Sequence, residues 1–270
     1  MPWRRIYQAF AQAQIGLYAA ALAYYALLGI FPLLTLAAGV GGLLLAKNPE
    51  LSAAFAHALT DLIPRLFPTA EGLAAQVVNA LQQGAASITL GSLLILLWTA
   101  SHLFTALAEV LSQLINGRGA GLVSRIRGLL GPAVFGLAMI LVSVLGIALG
   151  FLLHFLPDGP WNAYAGLLIA YLSSAALLFF LYRFLPVPPP KTPHALFAAL
   201  LAAAGWNLIA WGLPRFLPKN QYALVYGPLA GPVLLLLGFY LLMWILLAGA
   251  VIVGLLNRVE PREEEDVLGP

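Results

Sequence analysis

Of the 270 residues only 9% are charged, against roughly 25% in a soluble domain, while 62% are hydrophobic. Such a chain cannot cover itself with a polar surface, so composition excludes a soluble globular protein and implies an integral membrane protein. With no cysteine, disulfides, thiolate chemistry and cysteine-ligated metals are excluded as well. The net charge of +3 matters less than where the cations sit.

In chain order, Trp3 to Gln14 sets Trp3, Ile6, Tyr7 and Phe10 against Arg4, Arg5, Gln8 and Gln12, the pattern of a short helix lying in the interface. No charge follows between Ile6 and Ala46. That run is far longer than a signal-peptide core, so it reads as an uncleaved first span at 17–46, with Pro32 expected to kink it. Asn48, Pro49 and Glu50 then form a helix start. They open an amphipathic insertion, 49–83, whose two stretches are too short and too polar to cross a bilayer.

The second span, 87–115, organises the chain. Trp98, Thr105 and Ser112 are spaced by seven, as are His102, Glu109 and Asn116, and on a helix the two sets form one stripe. A carboxylate within a span is costly, and two readings of Glu109 stand: an interfacial anchor near the end of the span, or a buried functional group. His102 either takes part in a proton-linked step with Glu109 or donates to a neighbouring helix carbonyl.

A glycine-rich loop, Asn116 to Gly128, is expected to carry Arg118, Arg125 and Arg127 before the third span at 129–155. Pro157 to Pro160 make a turn, and the fourth span, 161–185, ends at Arg183 beside a proline run. A fifth span, 195–213, holds Asn207 between Trp206 and Trp211; an amide at membrane depth must find a partner, in a site or in the packing. Gly227-Pro228 and Gly231-Pro232 divide off the start of a sixth span, 233–256, and the broken backbone near Tyr226 marks a hinge or a site. Residues 258–270 form an acidic tail.

The expected fold is therefore all-α: one domain, 1–257, of six transmembrane helices with an amphipathic insertion between the first and second. With the N-terminus in the cytoplasm, nine lysines and arginines face inward and four outward, so both termini are expected to be cytoplasmic. Six spans also divide into three plus three. A Gly-Pro pair opens each third span, Gly131-Pro132 and Gly231-Pro232, as an inverted repeat would have it.

The residues now in view resemble the YihY/virulence factor BrkB family of bacterial inner-membrane proteins. The resemblance rests on Ala23-Tyr24-Tyr25-Ala26-Leu27 with Phe31-Pro32-Leu33, on Leu97-Trp98-Thr99-Ala100-Ser101, and on Leu181-Tyr182-Arg183-Phe184-Leu185-Pro186. Tyr226-Gly227 and Gly249-Ala250 complete it. It covers about Arg5 to Asn257 and implies a six-helix protein of the inner membrane with a role in transport or export, including movement of lipid-like envelope components. Two positions depart from the family pattern: Val251 stands where an acid is frequent after the final Gly-Ala pair, and Gly238 where a tryptophan is.

No catalytic cluster, metal site or cofactor is expected. The four histidines are scattered, five of the ten acids lie in the tail, and no Walker-type, G-x-S-x-G or H-E-x-x-H motif is present. Ribonuclease activity, an older label for the family, would need a metal or acid/base cluster and a basic surface. Nucleic acid is thus not an expected partner; membrane lipids are.

The residues that could bind or pass an amphipathic, lipid-like substrate are Tyr25, Trp98, His102, Thr105, Glu109, Asn207 and Tyr226. Arg118, Arg125, Arg127 and Arg183 could hold anionic headgroups, with orientation in the membrane as their other reading. The alternative function is a non-transporting structural or interaction protein of the envelope.

Overall fold

The computed structural model describes residues 8–45, 86–119, 121–153, 161–216 and 230–259, with single helical residues at 50, 57 and 60. The amphipathic insertion at 49–83 is otherwise outside these residues, as are the Pro157 turn, Tyr226, Gly227-Pro228 and the acidic tail from residue 260. Among the described residues there is no strand.

Six long helices make up the described chain: α1 (Ile15–Leu45), α2 (Ala86–Asn116), α3 (Leu122–Leu153), α4 (Trp161–Phe184), α5 (Thr192–Phe216) and α6 (Ala230–Val259). They run from 24 to 32 residues, or about 36 to 48 Å at 1.5 Å per residue, enough for a hydrocarbon layer of about 30 Å. Within α2 to α6, five stretches are long and apolar enough to cross a membrane, and α1 contributes the shorter apolar stretch Ile15–Ile30. The protein is an all-α membrane protein.

Helix boundaries follow local chemistry. Residues 8–12 form a short helical segment, broken at Gln14, whose φ of 46° and carbonyl, accepting from the amides of Leu17 and Tyr18, start α1. Gly117 ends α2 in the left-handed region (φ 73°), its amide donating to the Gln113 carbonyl at 2.9 Å. Pro193 and Pro232 sit in the first turns of α5 and α6, where a missing amide costs nothing.

Helix α3 corrects the expected loop: it starts at Leu122, so Arg125 and Arg127 ride on its first turns and the connection from α2 shrinks to residues 117–121. Gly128 and Gly131 are packing positions here rather than breakers. A side chain on Gly128 would strike the Thr105 backbone, and one on Gly131 the Phe104 ring. For the same reason Gly131-Pro132 lies inside α3, whereas Gly231-Pro232 opens α6, and the two pairs are not equivalent.

By the contacts within it, the chain divides into two compact units. The first comprises residues 1–19, 104–208 and 244–270, and the second residues 20–103 and 209–243. The core of the first unit is tightly built. Tyr182, Leu178, Leu111, Ile115, Leu246, Leu247 and Val253 are all fully buried, and Gly249 and Gly254 let α6 come close to Tyr182 of α4 and to Leu114 and Ile115 of α2. Small residues at such crossings let backbones approach in a lipid solvent, where packing rather than the hydrophobic effect joins helices. The second unit contains Thr99, which turns its hydroxyl back to the carbonyls of Ile95 and Leu96.

Candidate functional site

The polar stripe of α2 changes character along its length. Trp98 and His102 are exposed and form an edge-to-face pair with ring centroids 4.8 Å apart. Thr105 lies against Gly128, and half-buried Glu109 places its carboxylate against Gly119 in the α2–α3 connection. Ser112, fully buried, donates to the Ala108 carbonyl (2.7 Å) and accepts from the Val187 amide (3.1 Å). Asn116 donates to the Pro188 carbonyl at 3.0 Å. The far end of the stripe therefore holds down the proline-rich segment after α4.

Arg127 completes that clamp. Its Nη1 donates to the carbonyls of Phe184 (2.9 Å) and Pro186 (2.6 Å), placing a cation at the C-terminal end of α4, where the helix dipole favours it. Its role in the fold is thus a cap on α4. Arg118, Arg125 and Arg183 are exposed.

Asn207 finds its partners within the bundle: Nδ2 donates to Ser174 Oγ and to the Ala203 carbonyl, each at 2.8 Å. One turn away the Tyr171 hydroxyl donates to the Leu200 carbonyl (2.9 Å), so the two bonds pin α4 to α5. Tyr25 is half-buried in the second unit, its ring centroid 6.0 Å from that of Tyr24. Tyr226 lies outside the described residues. Among the described residues no group of three or more histidine, aspartate or glutamate side chains comes together to hold a metal.

Two further contacts, one buried and one half-buried, carry no signal in the sequence. The Tyr182 hydroxyl donates to the Leu246 carbonyl at 2.7 Å. The His194 ring, through Nδ1–H, donates to Asn257 Oδ1 at 2.7 Å, joining the start of α5 to the end of α6. A tyrosine in a span and a histidine beside a proline carry no spacing signal that names a partner 63 residues away.

A concavity lies within the first unit, where the start of α1 meets the last turns of α2 and α6. It has a volume of about 440 Å³, within the usual range for small-ligand sites. Its polar lining is Gln12, Gln14, Tyr18 and Gln113, and Leu114, Val251 and Leu255 form apolar wall. The Tyr18 hydroxyl donates to Gln113 Oε1 at 3.3 Å, tying α1 to α2 across the cavity. Val251 is an uncharged part of that wall. Tyr25, Trp98, His102, Thr105, Glu109 and Asn207 do not line this cavity. Its glutamines sit at helix ends, where side-chain polarity alone reads as ordinary interface.

Long apolar helices, buried tyrosine and glycine crossings, and an amphipathic cavity at the helix ends define a polytopic membrane protein of helix-bundle type. The chain belongs to the Virulence factor BrkB family, which it matches over residues 6–267. It is 29% identical to a UPF0761 membrane protein of Azoarcus sp. (strain BH72), over 96% of this chain and 64% of that one. It is 28% identical to one of Delftia acidovorans, over 96% and 63% respectively, and 27% identical to one of Verminephrobacter eiseniae, over 94% and 63%. The chain thus spans somewhat less than two thirds of the length of these relatives. No solved structure matches it.

Proposed function

We propose that this protein moves an amphipathic, lipid-like envelope molecule across the bacterial inner membrane, without a catalytic step or a cofactor. The observation that carries the reading is the cavity of about 440 Å³ with glutamine and tyrosine on one side and leucine and valine on the other. A molecule with a polar end and an apolar body matches both walls, whereas a small polar solute would leave the apolar wall unsatisfied. The cavity sits at helix ends, the depth of lipid headgroups, and with the N-terminus inside it opens toward the cytoplasmic leaflet.

The test is reconstitution of the full chain into liposomes, with movement of a fluorescent-tail lipid and proton-driven solute flux measured side by side. The proposal expects lipid movement well above protein-free vesicles and no coupled solute flux. Native protein that moves no lipid, while folded and inserted, overturns it.

A non-transporting structural or interaction protein is the second reading, favoured by the internal bonds of Asn116, Arg127 and Asn207. Those polar groups join helix to helix and connection to helix, leaving the cavity as the feature that separates the two readings.

A further inference from the structure

We infer that the cavity at the ends of α1, α2 and α6 selects an uncharged, hydroxyl-rich head group, a sugar or polyol on a lipid, over a phosphate. The inference rests on the transport reading for the identity of the cavity as the polar binding site, and adds what that site recognises.

Three carboxamides and one phenol make up the polar lining: Gln12, Gln14, Gln113 and Tyr18. A carboxamide offers two N–H donors and a carbonyl acceptor. A hydroxyl is also donor and acceptor at once, so neighbouring hydroxyls on a ring or polyol pair with carboxamides without an unmatched group. A phosphate offers acceptors only and is best held by guanidinium or ammonium groups. Among the described residues no lysine, arginine or histidine lines the cavity, and each carboxamide oxygen turned inward would repel the anion.

Backbone polarity points the same way. Gln113, Leu114 and Gly117 belong to the last turn and cap of α2, and Val251, Gly254 and Leu255 to the last turns of α6. Helix C-terminal ends carry partial negative charge and unshared carbonyls, which favour hydroxyl donors and disfavour anions. Only α1 presents its start, and there the Gln14 carbonyl already serves the amides of Leu17 and Tyr18.

Tyr18 and Gln113 set the orientation. Because the phenol donates to Gln113 Oε1, the amide oxygen faces Tyr18 and Nε2 is left to present its two donors, while the phenol ring gives a flat apolar surface for the C–H face of a sugar. The rest of the lining includes small residues, Ala9, Ala13, Gly117 and Gly254, which leave room for a ring.

The experiment uses the full chain in detergent and in liposomes, with three probes of identical acyl chains: a monoglucosyl diacylglycerol, phosphatidylglycerol and phosphatidylcholine. Retained lipid is measured by native mass spectrometry and movement by fluorescence quenching. The expected result is retention of the glucosyl lipid at roughly tenfold lower concentration than phosphatidylglycerol. Gln113→Leu should remove about that factor, the scale of one lost polar partner, and so close the gap between the glucosyl lipid and phosphatidylglycerol.

Thermal unfolding checks that the variant is folded. If Gln113→Leu is not, Gln12→Ala and Gln113→Asn, which alter exposed side chains, supply the same comparison. Preference for phosphatidylglycerol, or glucosyl-lipid retention unaffected by these variants, overturns the inference, and if some lipid is still moved the transport reading survives. Failure to bind or move any of the three removes both.

Discussion

At the scale of single residues, the first unit is secured by polar atoms that meet backbone carbonyls. Tyr182 is the largest fully buried one: its hydroxyl reaches the Leu246 carbonyl, and Gly249 leaves the space the phenol occupies. Tyr182→Phe should cost about 0.5–1.5 kcal/mol, the net value of one such bond. Gly249→Ala should cost more, about 1–3 kcal/mol, because its methyl would strike the hydroxyl. In the double variant the phenyl ring no longer presents that oxygen, so the combined loss should fall short of the sum. Reversible unfolding in mixed micelles measures the cycle, and strict additivity would show that the two groups do not meet.

Residue-scale roles were the least legible in the sequence. Polarity at membrane depth marked Asn207 as needing a partner, but nothing local indicates Ser174, 33 residues earlier. Arg127 reads as a loop cation because it lies in the glycine-rich stretch Asn116 to Gly128; its bonds to Phe184 and Pro186 come from segments whose approach only the folded chain fixes. The cavity draws Gln14 from the turn before α1, Gln113 from α2 and Val251 from α6, each unremarkable in its own segment.

At the scale of elements, existence was far easier to read than ends. A helix in lipid must satisfy all its backbone bonds internally, so an uninterrupted apolar run of this length has only one outcome, and α2 and α4 follow directly from hydropathy. Glycine misleads for the same reason. In water it argues for a turn, whereas on α3 the helix is held by its own bonds and glycine instead sets how close α2 can come.

That distinction can be tested. Gly128→Ala and Gly254→Ala place a methyl on the backbones of Thr105 and Leu114, which cannot swing aside. Both should lower the unfolding temperature clearly or abolish folded yield. Gly136→Ala, Gly150→Ala and Gly166→Ala meet nothing within 4 Å; they should be neutral or gain up to about 0.5–1 kcal/mol from helix propensity. Thermal melts of the five purified variants decide it, and equal effects in both groups would sink the packing account.

At the scale of the whole molecule, the distribution of nine against four basic residues supports the proposed placement of both termini in the cytoplasm. The chain contains no cysteine, so single cysteines report position without background. In intact cells an impermeant maleimide should label Asp158→Cys, which the proposed orientation puts outside, and should leave Arg118→Cys untouched until the membrane is opened. The opposite labelling pattern would invert the molecule and put the glutamine-lined cavity on the far leaflet.

Helix α3 leaves one consequence for how this protein can diverge. From Pro132 to Phe151 none of its residues is fully buried, although its first turns are locked by Arg127, Gly128 and Gly131. For most of its length, then, the helix answers to oiliness rather than to fit. Related chains are free to shuffle leucine, isoleucine and valine along that stretch, while the few positions at its root must stay as they are.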